Sequence, residues 1–210
     1  MSETHRITTL ERLRAIMGDP GPATALKINP ALDSFMRDFI ARSPFLILST
    51  ADAEGRQDTS PKGDLPGFVA VEEDGTLLIP DRSGNRLLFG LQNLLVNPNV
   101  GVLFMMPGVN ETLRVNGRAE LSDDPALCGR LASRGRPALL VIRVTVEECF
   151  FHCAKAFLRS GLWDPETWDP EGTVPRRAVL AQKLDANELS LEELDQYYGE
   201  QYRDGLYERR

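Results

Sequence analysis

The stretch best suited to chemistry is the hexapeptide at residues 81–86, Asp-Arg-Ser-Gly-Asn-Arg. Its two arginines and its small residues are typical of an anion site, because guanidinium groups supply positive charge and small residues let a ligand approach the backbone. The flanking residues predict that a strand ends here and that a helix begins. We therefore expect a phosphate-binding loop, with a solvated turn that caps the helix as the alternative.

Two further polar stretches stand where predicted strands end or begin. Residues 60–64 (Ser-Pro-Lys-Gly-Asp) close one strand, and residues 110–114 (Asn-Glu-Thr-Leu-Arg) open another. Pairing of such strands in an antiparallel barrel would bring a lysine, hydroxyl groups and an arginine near the hexapeptide. The arrangement fits a groove that holds an anionic tail at one end and a flat ring along the strands.

Short apolar runs bounded by turn residues predict the strands that carry these stretches. Four such runs follow one another closely, which favours an antiparallel barrel or sandwich over a parallel sheet with crossover helices. The fold class we predict is mainly β with flanking helices. The predicted strands cover residues 45–50, 57–60, 67–71, 76–80, 100–106, 112–121 and 138–146.

Apolar residues at spacings of three and four predict the helices. One helix is expected to begin with Asn29 as its cap and Pro30 at its first position, and to end near residue 43. Ser190 and Glu193 match a capping box for a helix that continues to about residue 203. The other predicted helices cover residues 86–96 and about 123–133, and a short helical pattern lies at residues 10–17.

Composition and charge narrow the classes of protein. The chain has 210 residues, 42% of them hydrophobic, which suits one globular domain and is too apolar for a disordered chain. Its 24 lysines and arginines against 31 acidic residues give a net charge of −7, so nucleic acid is not an expected partner. No apolar run approaches the roughly 20 residues that span a bilayer, and we find no secretory signal. We expect a cytoplasmic protein that does not bind membranes.

Three cysteines and two histidines limit disulfide and metal chemistry. An odd number of cysteines in a chain of this length fits reduced thiols in a reducing compartment. Cys149 and Cys153, with His152 between them, invite a metal hypothesis. One helical turn directs at most two ligands to the same side, however, whereas structural zinc takes four. We therefore expect no metal.

Five stretches of the chain carry a resemblance when they are taken in order. They are Pro-Phe-Leu-Ile-Leu-Ser-Thr (44–50), Ser-Pro-Lys-Gly-Asp (60–64), the hexapeptide (81–86), Asn-Pro-Asn-Val-Gly-Val-Leu-Phe (97–104) and Leu-Arg-Val-Asn-Gly-Arg-Ala (113–119). In this order they resemble the pyridoxamine 5′-phosphate oxidase-like FMN-binding split-barrel flavoproteins. The likeness covers most of residues 30–165, and residues 151–163 resemble one subgroup of that family. It implies an antiparallel split β-barrel, a homodimer with FMN at the interface, and an oxidoreductase that acts on a small molecule.

With this resemblance the chain divides into three parts. We expect an N-terminal arm (1–28), an FMN-binding split-barrel domain (29–165) and a C-terminal extension with a helix (166–210). The resemblance does not account for the sequence beyond residue 170.

The resemblance also assigns roles to individual residues. Lys62 is implied to face both the flavin and the substrate, which makes it a catalytic candidate. Asn85 and Arg86 stand where the family's oxidases place two consecutive basic residues on the FMN phosphate. Asn85 departs from that pattern, and Arg82 is the expected replacement for the missing charge. The wall along the flavin ring is implied to comprise Thr59, Ser60, Pro61, Lys62, Ile79, Pro80 and Asp81.

A second protomer is implied to complete the site with the segment that begins at His152. Lys155 and Arg159 lie four apart and would share one helix face, where they could grip an anionic substrate or the partner's FMN phosphate. His152 is a candidate proton donor near neutral pH, with a structural role as the alternative. Thr112 stands where the oxidases have a glutamine against the flavin, and Arg114 lies beside it.

Two other functions on the same barrel stay open. One is a flavin- or haem-binding module without turnover, since one fold serves several tasks. The other is a reductase that uses the deazaflavin F420, whose long acidic tail would need an extended basic groove. Reduction of a bound flavin by a nicotinamide donor, followed by transfer to an acceptor, separates an enzyme from a carrier.

Overall fold

A computed structural model describes residues 5–168, 173–185, 187–199, 202–203 and 205–207. Its strands are β1 (Phe45–Ala51), β2 (Gln57–Gly63), β3 (Ala70–Val71), β4 (Leu77–Asp81), β5 (Asn99–Met105), β6 (Thr112–Ser122) and β7 (Leu140–His152). They form one antiparallel sheet in the order β2-β1-β5-β6-β7-β4-β3, which is a half-barrel. The predicted fold class, mainly β with flanking helices, is confirmed.

The helices lie around this sheet. They are α1 (Leu10–Met17), α2 (Pro22–Ala25), α3 (Ser34–Arg42), α4 (Phe89–Val96), α5 (Pro125–Arg130), α6 (Lys155–Ser160), α7 (Arg177–Leu184) and α8 (Leu191–Tyr197), with 3-10 turns at Pro165–Thr167 and Gly205–Tyr207. Within the described part of the chain, no helix combines the length and the apolar character needed to cross a membrane.

The core forms where the inner face of the sheet meets α3. Side chains alternate along β1, so that Leu46 and Leu48 point inward and are almost fully buried. Met36 and Ile40, one turn apart on α3, are buried against them in the same cluster. Burial of each such side chain contributes about 1.5–3 kcal/mol, which makes this layer the rigid base beneath the rest of the fold.

The predicted start of α3 is wrong by several residues. The backbone of Asn29 is instead paired with that of Cys149 in β7, through N–O distances of 3.0 and 2.8 Å. The helix begins at Ser34, because the Asp33 carboxylate accepts a hydrogen bond from the Met36 amide at 2.8 Å and caps it. The end of the helix before Pro44 matches the prediction.

The last strand is longer than predicted. β7 pairs with β6 from Ser122 to Thr112 and therefore continues to His152, past a bulge at Asn116 and Gly117. At the bulge the two backbones are so close that a Cβ on Gly117 would lie 2.0 Å from the Thr145 carbonyl oxygen. Glycine at this position thus permits the close approach of the two longest strands at the bulge.

The helix predicted at residues 86–96 begins only at Phe89. Arg86 and Leu88 have φ values of 60° and 59°, and this left-handed backbone cannot belong to an α-helix. Asn93 holds the helix against β1 by donating to the Thr50 hydroxyl at 3.0 Å. The hexapeptide is therefore followed by an irregular segment and does not itself cap α4.

Smaller differences concern the ends of other elements. The strand predicted at residues 67–71 contains only the two residues of β3, and the helix predicted at 123–133 is the shorter α5, capped by Asp124. The capping box of Ser190 and Glu193 is confirmed, although α8 ends at Tyr197 and α7 was not predicted. Residues 1–4 of the predicted arm, and residues 169–172, 186, 200–201, 204 and 208–210 of the predicted extension, lie outside the described residues.

Candidate functional site

A cavity of about 800 Å³ opens between the β1–β2 hairpin, the end of β4 and the segment at residues 82–91. This volume falls within the range of roughly 300–1,000 Å³ that is usual for small-molecule sites. The cavity brings together most of the residues predicted from the sequence. Those that line it are Thr59, Ser60, Pro61, Lys62, Pro80, Asp81, Arg82, Asn85 and Arg86.

The wall of the cavity combines apolar and small polar groups. Phe68, Leu139 and Leu140 contribute apolar surface, to which a flat ring can bind. Gly84 lies in the segment that follows β4, and a Cβ added to it would meet no atom within 4 Å. The backbone at Gly84 is therefore open to close approach by a ligand.

Lys62 and Asp81 form an ion pair on this wall. Lys62 belongs to β2, an edge strand, whereas Asp81 ends β4 near the opposite end of the sheet. Their side chains are only 20% and 11% exposed, so water screens the pair weakly. The ammonium charge of Lys62 is thus compensated and its position is fixed.

Arg82 is likewise held by a carboxylate. Its Nε donates to Asp64 Oδ2 at 2.5 Å, and its Nη2 donates to the Leu131 carbonyl oxygen at 2.9 Å. The third nitrogen, Nη1, is buried and has no hydrogen-bond partner among the described residues. The charge of Arg82 is therefore compensated by Asp64, while Nη1 stays without a described partner. That Arg82 replaces the missing basic residue at a phosphate stays a prediction.

Asp64 accepts hydrogen bonds from several distant segments. Its Oδ1 receives the Tyr207 hydroxyl at 2.6 Å, the Leu65 amide at 2.8 Å and the Ser133 hydroxyl at 2.9 Å. Burial by itself would raise the pKa of the Asp64 carboxyl. These bonds and that from Arg82 lower it by more, so the net pKa lies below the ordinary value. No sequence signal pointed to Tyr207, because 143 residues separate it from Asp64.

Arg86 differs from the other two cations of the cavity. It forms no ion pair with any residue in the described part of the chain. The neighbouring Asn85 uses its side-chain oxygen to accept the Leu87 amide at 3.1 Å, so it stabilises the turn. A left-handed backbone at a non-glycine residue such as Arg86 costs about 1–3 kcal/mol and is concentrated at functional sites.

Several predicted site residues do not line this cavity. Ile79 is fully buried in the hydrophobic core beneath the wall. Thr112 is buried at the start of β6, opposite His152. Lys155 and Arg159 both lie on α6, as their spacing predicted, and neither forms an ion pair with a described residue. A cavity within one chain therefore does not gather the whole predicted set.

His152 ends β7 in a basic environment. Its Nε2 is buried without a hydrogen-bond partner among the described residues, and its ring contacts that of Phe150 at 4.8 Å. Burial lowers the pKa of His152, and the positive charges of Arg114 and Lys27 lower it further. Arg114 lies 5.3 Å from the Phe150 ring and thus belongs to the same cluster. These effects favour the neutral form of the imidazole.

The cysteines next to His152 do not share a helical turn. Cys149 is buried in β7, where burial raises the pKa of its thiol. Cys153 is exposed, and a hydrogen bond from the Lys155 amide lowers the pKa of its thiol. Across the residues that the structure describes, no three histidine, cysteine or acidic side chains are grouped so that they could hold a metal.

The sequence matches a known family. The family model described as pyridoxamine 5′-phosphate oxidase matches residues 32–153, which is more than half of the chain. The protein therefore belongs to the pyridoxamine 5′-phosphate oxidase family, as the resemblance of its motifs predicted. Among curated proteins, none matches the chain.

Solved structures similar to this chain come from several bacteria. HupZ from Group A Streptococcus is 19% identical, with a TM-score of 0.47, over 57% of this chain and 93% of that chain. General stress protein 26 from Bacillus anthracis is 18% identical, with a TM-score of 0.42, over 54% of this chain and 88% of that chain. The heme storage protein HutZ from Vibrio cholerae is 17% identical, with a TM-score of 0.38, over 57% of this chain and 94% of that chain.

Proposed function

We propose that this protein binds FMN in the cavity and acts as an oxidoreductase on a small molecule. The observation that carries the proposal is Arg86, a cation at the cavity that no described carboxylate compensates. It stands beside the open backbone of Gly84, and such a pairing of free charge with accessible backbone suits a phosphate. Membership of the pyridoxamine 5′-phosphate oxidase family supports a flavin as the bearer of that phosphate.

The residues of the cavity fit the two ends of FMN. Arg86 would bind the phosphate, and the free Nη1 of Arg82 would serve as a second donor nearby. The hydroxyl groups of Thr59 and Ser60 and the apolar surface of Pro61 would lie along the ring. When bound, the flavin supplies the centre that accepts or gives a hydride or electrons.

Lys62 is the candidate for a catalytic role within this cavity. Its ion pair with Asp81 holds the ammonium group in one place. A fixed cation next to the ring would attract an anionic group of the substrate and hold it in one orientation. The chain would thus contribute binding, orientation and charge, while the cofactor carries the electrons.

The proposal includes a homodimer in which each protomer completes the site of its partner. The support is that His152, Lys155 and Arg159 lie on one continuous segment away from the cavity of their own chain. The two α6 cations have no described ion-pair partner, so they are available to an anion on another protomer. With a lowered pKa, His152 is better suited to accept a proton than to donate one, so we expect it to be a ring contact or a proton acceptor there.

The visible spectrum of the purified protein tests the cofactor. We expect two flavin bands, and FMN in the mass spectrum of the material that denaturation releases. A Soret band would favour a haem-binding module, and release of F420 would favour a deazaflavin reductase. A colourless protein that also fails to take up added FMN would overturn the proposal.

Two further measurements test whether the protein is an enzyme and whether it is a dimer. Reduction of the bound flavin by a nicotinamide donor, with reoxidation by an added acceptor, is expected of an enzyme, and a flavin that stays oxidised would indicate a carrier. Sedimentation should give a mass near twice 23.4 kDa. A strict monomer that retains full flavin affinity would contradict a site shared between protomers.

A further inference from the structure

We propose that Tyr207 is a positioning residue of the cavity. Its hydroxyl group donates a hydrogen bond to Asp64, which holds the C-terminal segment there and helps to fix the guanidinium of Arg82. We call Tyr207, Asp64, Arg82, Ser133 and Arg134 the C-terminal latch. The inference rests on the proposed FMN site, to which it adds the segment beyond the barrel. Four separate parts of the chain meet at this point, and of the latch residues Arg82 is the one that lines the cavity.

The first step concerns the burial of Asp64. Its side chain is 1% exposed, and a carboxylate taken out of water must be compensated by charge and hydrogen bonds. Arg82 supplies the charge, whereas Tyr207 and Ser133 supply hydroxyl donors to the other oxygen. Without the Tyr207 hydroxyl, the buried carboxylate of Asp64 lacks one hydrogen-bond donor. We therefore expect the position of Arg82 to be less fixed.

The second step concerns the ring of Tyr207. The guanidinium of Arg82 lies 5.6 Å from the ring centre, and that of Arg134 lies 5.5 Å from it. Both distances are within the range of cation–π attraction, which is stronger where water is excluded. The ring thus contacts the same arginine that the hydroxyl group fixes through Asp64.

The third step concerns the nitrogen of Arg82 that neither Asp64 nor Leu131 engages. Two of its nitrogens are engaged by Asp64 and the Leu131 carbonyl oxygen, which leaves Nη1 as the one without a described partner. An arginine side chain loses much rotamer freedom when a ligand orders it, and a side chain already fixed does not incur that loss on binding. The latch therefore holds the guanidinium of a cavity-lining arginine in one position, with one nitrogen without a described partner.

The test compares FMN with riboflavin, which has the same ring and no phosphate. Affinities are measured by flavin fluorescence for the wild type, Tyr207→Ala and Tyr207→Phe. Tyr202→Phe is the matched control, since Tyr202 lies in the same segment and contacts the rings of Tyr197 and Tyr198. We expect Tyr207→Ala to weaken FMN about tenfold, as loss of one charge-assisted contact does, and to leave riboflavin unchanged.

Tyr207→Phe keeps the ring and removes only the hydroxyl, so a smaller loss of FMN affinity is expected, and none for Tyr202→Phe. Equal weakening of FMN and riboflavin would indicate a purely structural role and overturn the proposal. Unchanged FMN affinity in both Tyr207 variants would overturn it as well. Tyr207→Phe removes only one oxygen atom, so the affinities for FMN and riboflavin can be compared on this variant even if Tyr207→Ala fails to fold.

A second measurement separates this proposal from the proposed function. Amide hydrogen exchange at residues 82–88 is followed in the flavin-free proteins, where it reports local opening of the loop. Faster exchange in Tyr207→Ala than in Tyr202→Phe supports the latch, and equal exchange overturns it. If the wild type binds no flavin, the proposed function fails, whereas the exchange measurement still decides whether Tyr207 holds the loop.

Discussion

Lys62 in the edge strand β2 forms an ion pair with Asp81 in β4, the next-to-last strand at the other end of the sheet. In the sheet that the structure describes, no backbone hydrogen bonds join β2 to β4, so the half-barrel has a gap between these two strands. The ion pair of Lys62 and Asp81 spans this gap. The gap is also where the cavity lies. Closure by side chains thus leaves the space between the strand ends free for a ligand.

Arg86→Ala should weaken FMN binding by about 1.5–3 kcal/mol, since it removes a hydrogen bond to a charged phosphate. Riboflavin should bind to the variant and to the wild type equally, because it lacks the group that Arg86 binds. Flavin fluorescence titration measures both affinities. The control is Arg118→Ala, which removes an exposed arginine of β6 outside the cavity. An Arg86→Ala variant with wild-type FMN affinity would remove Arg86 from the site.

Lys62→Met should lower the free energy of unfolding by about 1–3 kcal/mol, because Asp81 would retain a largely buried charge without a partner. Addition of Asp81→Asn should recover part of this loss, which gives a coupling energy of about 1–2 kcal/mol in a double-mutant cycle. Urea denaturation of the four proteins supplies the values. The exposed pair of Arg143 and Glu120 is the control cycle, for which less than about 1 kcal/mol is expected. Equal coupling in both cycles would contradict a special role for the first pair.

Asp64 should make the protein less stable in acid. Its pKa is lower in the folded protein than the value of about 3.9 in an unfolded chain, so its contribution is complete above that value and is lost as the pH falls through the folded pKa. Urea denaturation between pH 7 and pH 3 should show this loss. Asp64→Asn should have a shallower dependence on pH, whereas Asp123→Asn, an exposed change, should follow the wild type. Parallel curves for wild type and Asp64→Asn would refute the assignment.

His152 should titrate below the usual value of about 6.5 for histidine, since it is partly buried beside Arg114 and Lys27. The neutral imidazole stabilises the fold above the unfolded pKa, and this contribution is lost as the pH falls toward the folded pKa. Proton NMR can follow the ring directly, because the chain has only two histidines and a His5→Gln variant assigns the signals. Arg114→Gln should raise the pKa of His152, and Arg118→Gln should leave it unchanged. A pKa of His152 that does not respond to Arg114→Gln would show that the two charges are not coupled.

Elements defined by local periodicity were predicted well from the sequence. The alternation in β1 and the spacing of Met36 and Ile40 in α3 depend only on neighbours along the chain, and both elements are present. The start of α4 was missed because Arg86 and Leu88 adopt a left-handed backbone that no propensity of arginine or leucine indicates. β7 was predicted too short because its second half, which begins with Glu147 and Glu148, is set by pairing with β6.

Most residues of the cavity wall were predicted from the sequence, whereas the ion pairs that compensate their charges were not. Residues 59–62 and 80–86 share one cavity because their strands end beside each other, as the motifs implied. The pairing of Arg82 with Asp64 and the contact of Tyr207 depend on segments far apart in the sequence. Such long-range contacts follow from the fold, and no spacing in the sequence encodes them.

The composition of β2 bears on how the protein behaves at high concentration. Among the described strands β2 pairs only with β1, so its other edge offers backbone groups to which a strand of a neighbouring molecule could add. Pro61 lies in this strand and has no amide hydrogen, and Asp58 and Lys62 place charge along the same seven residues. These residues oppose strand addition and aggregation. A half-barrel can therefore keep its gap open to small molecules without assembling into fibrils through the exposed edge.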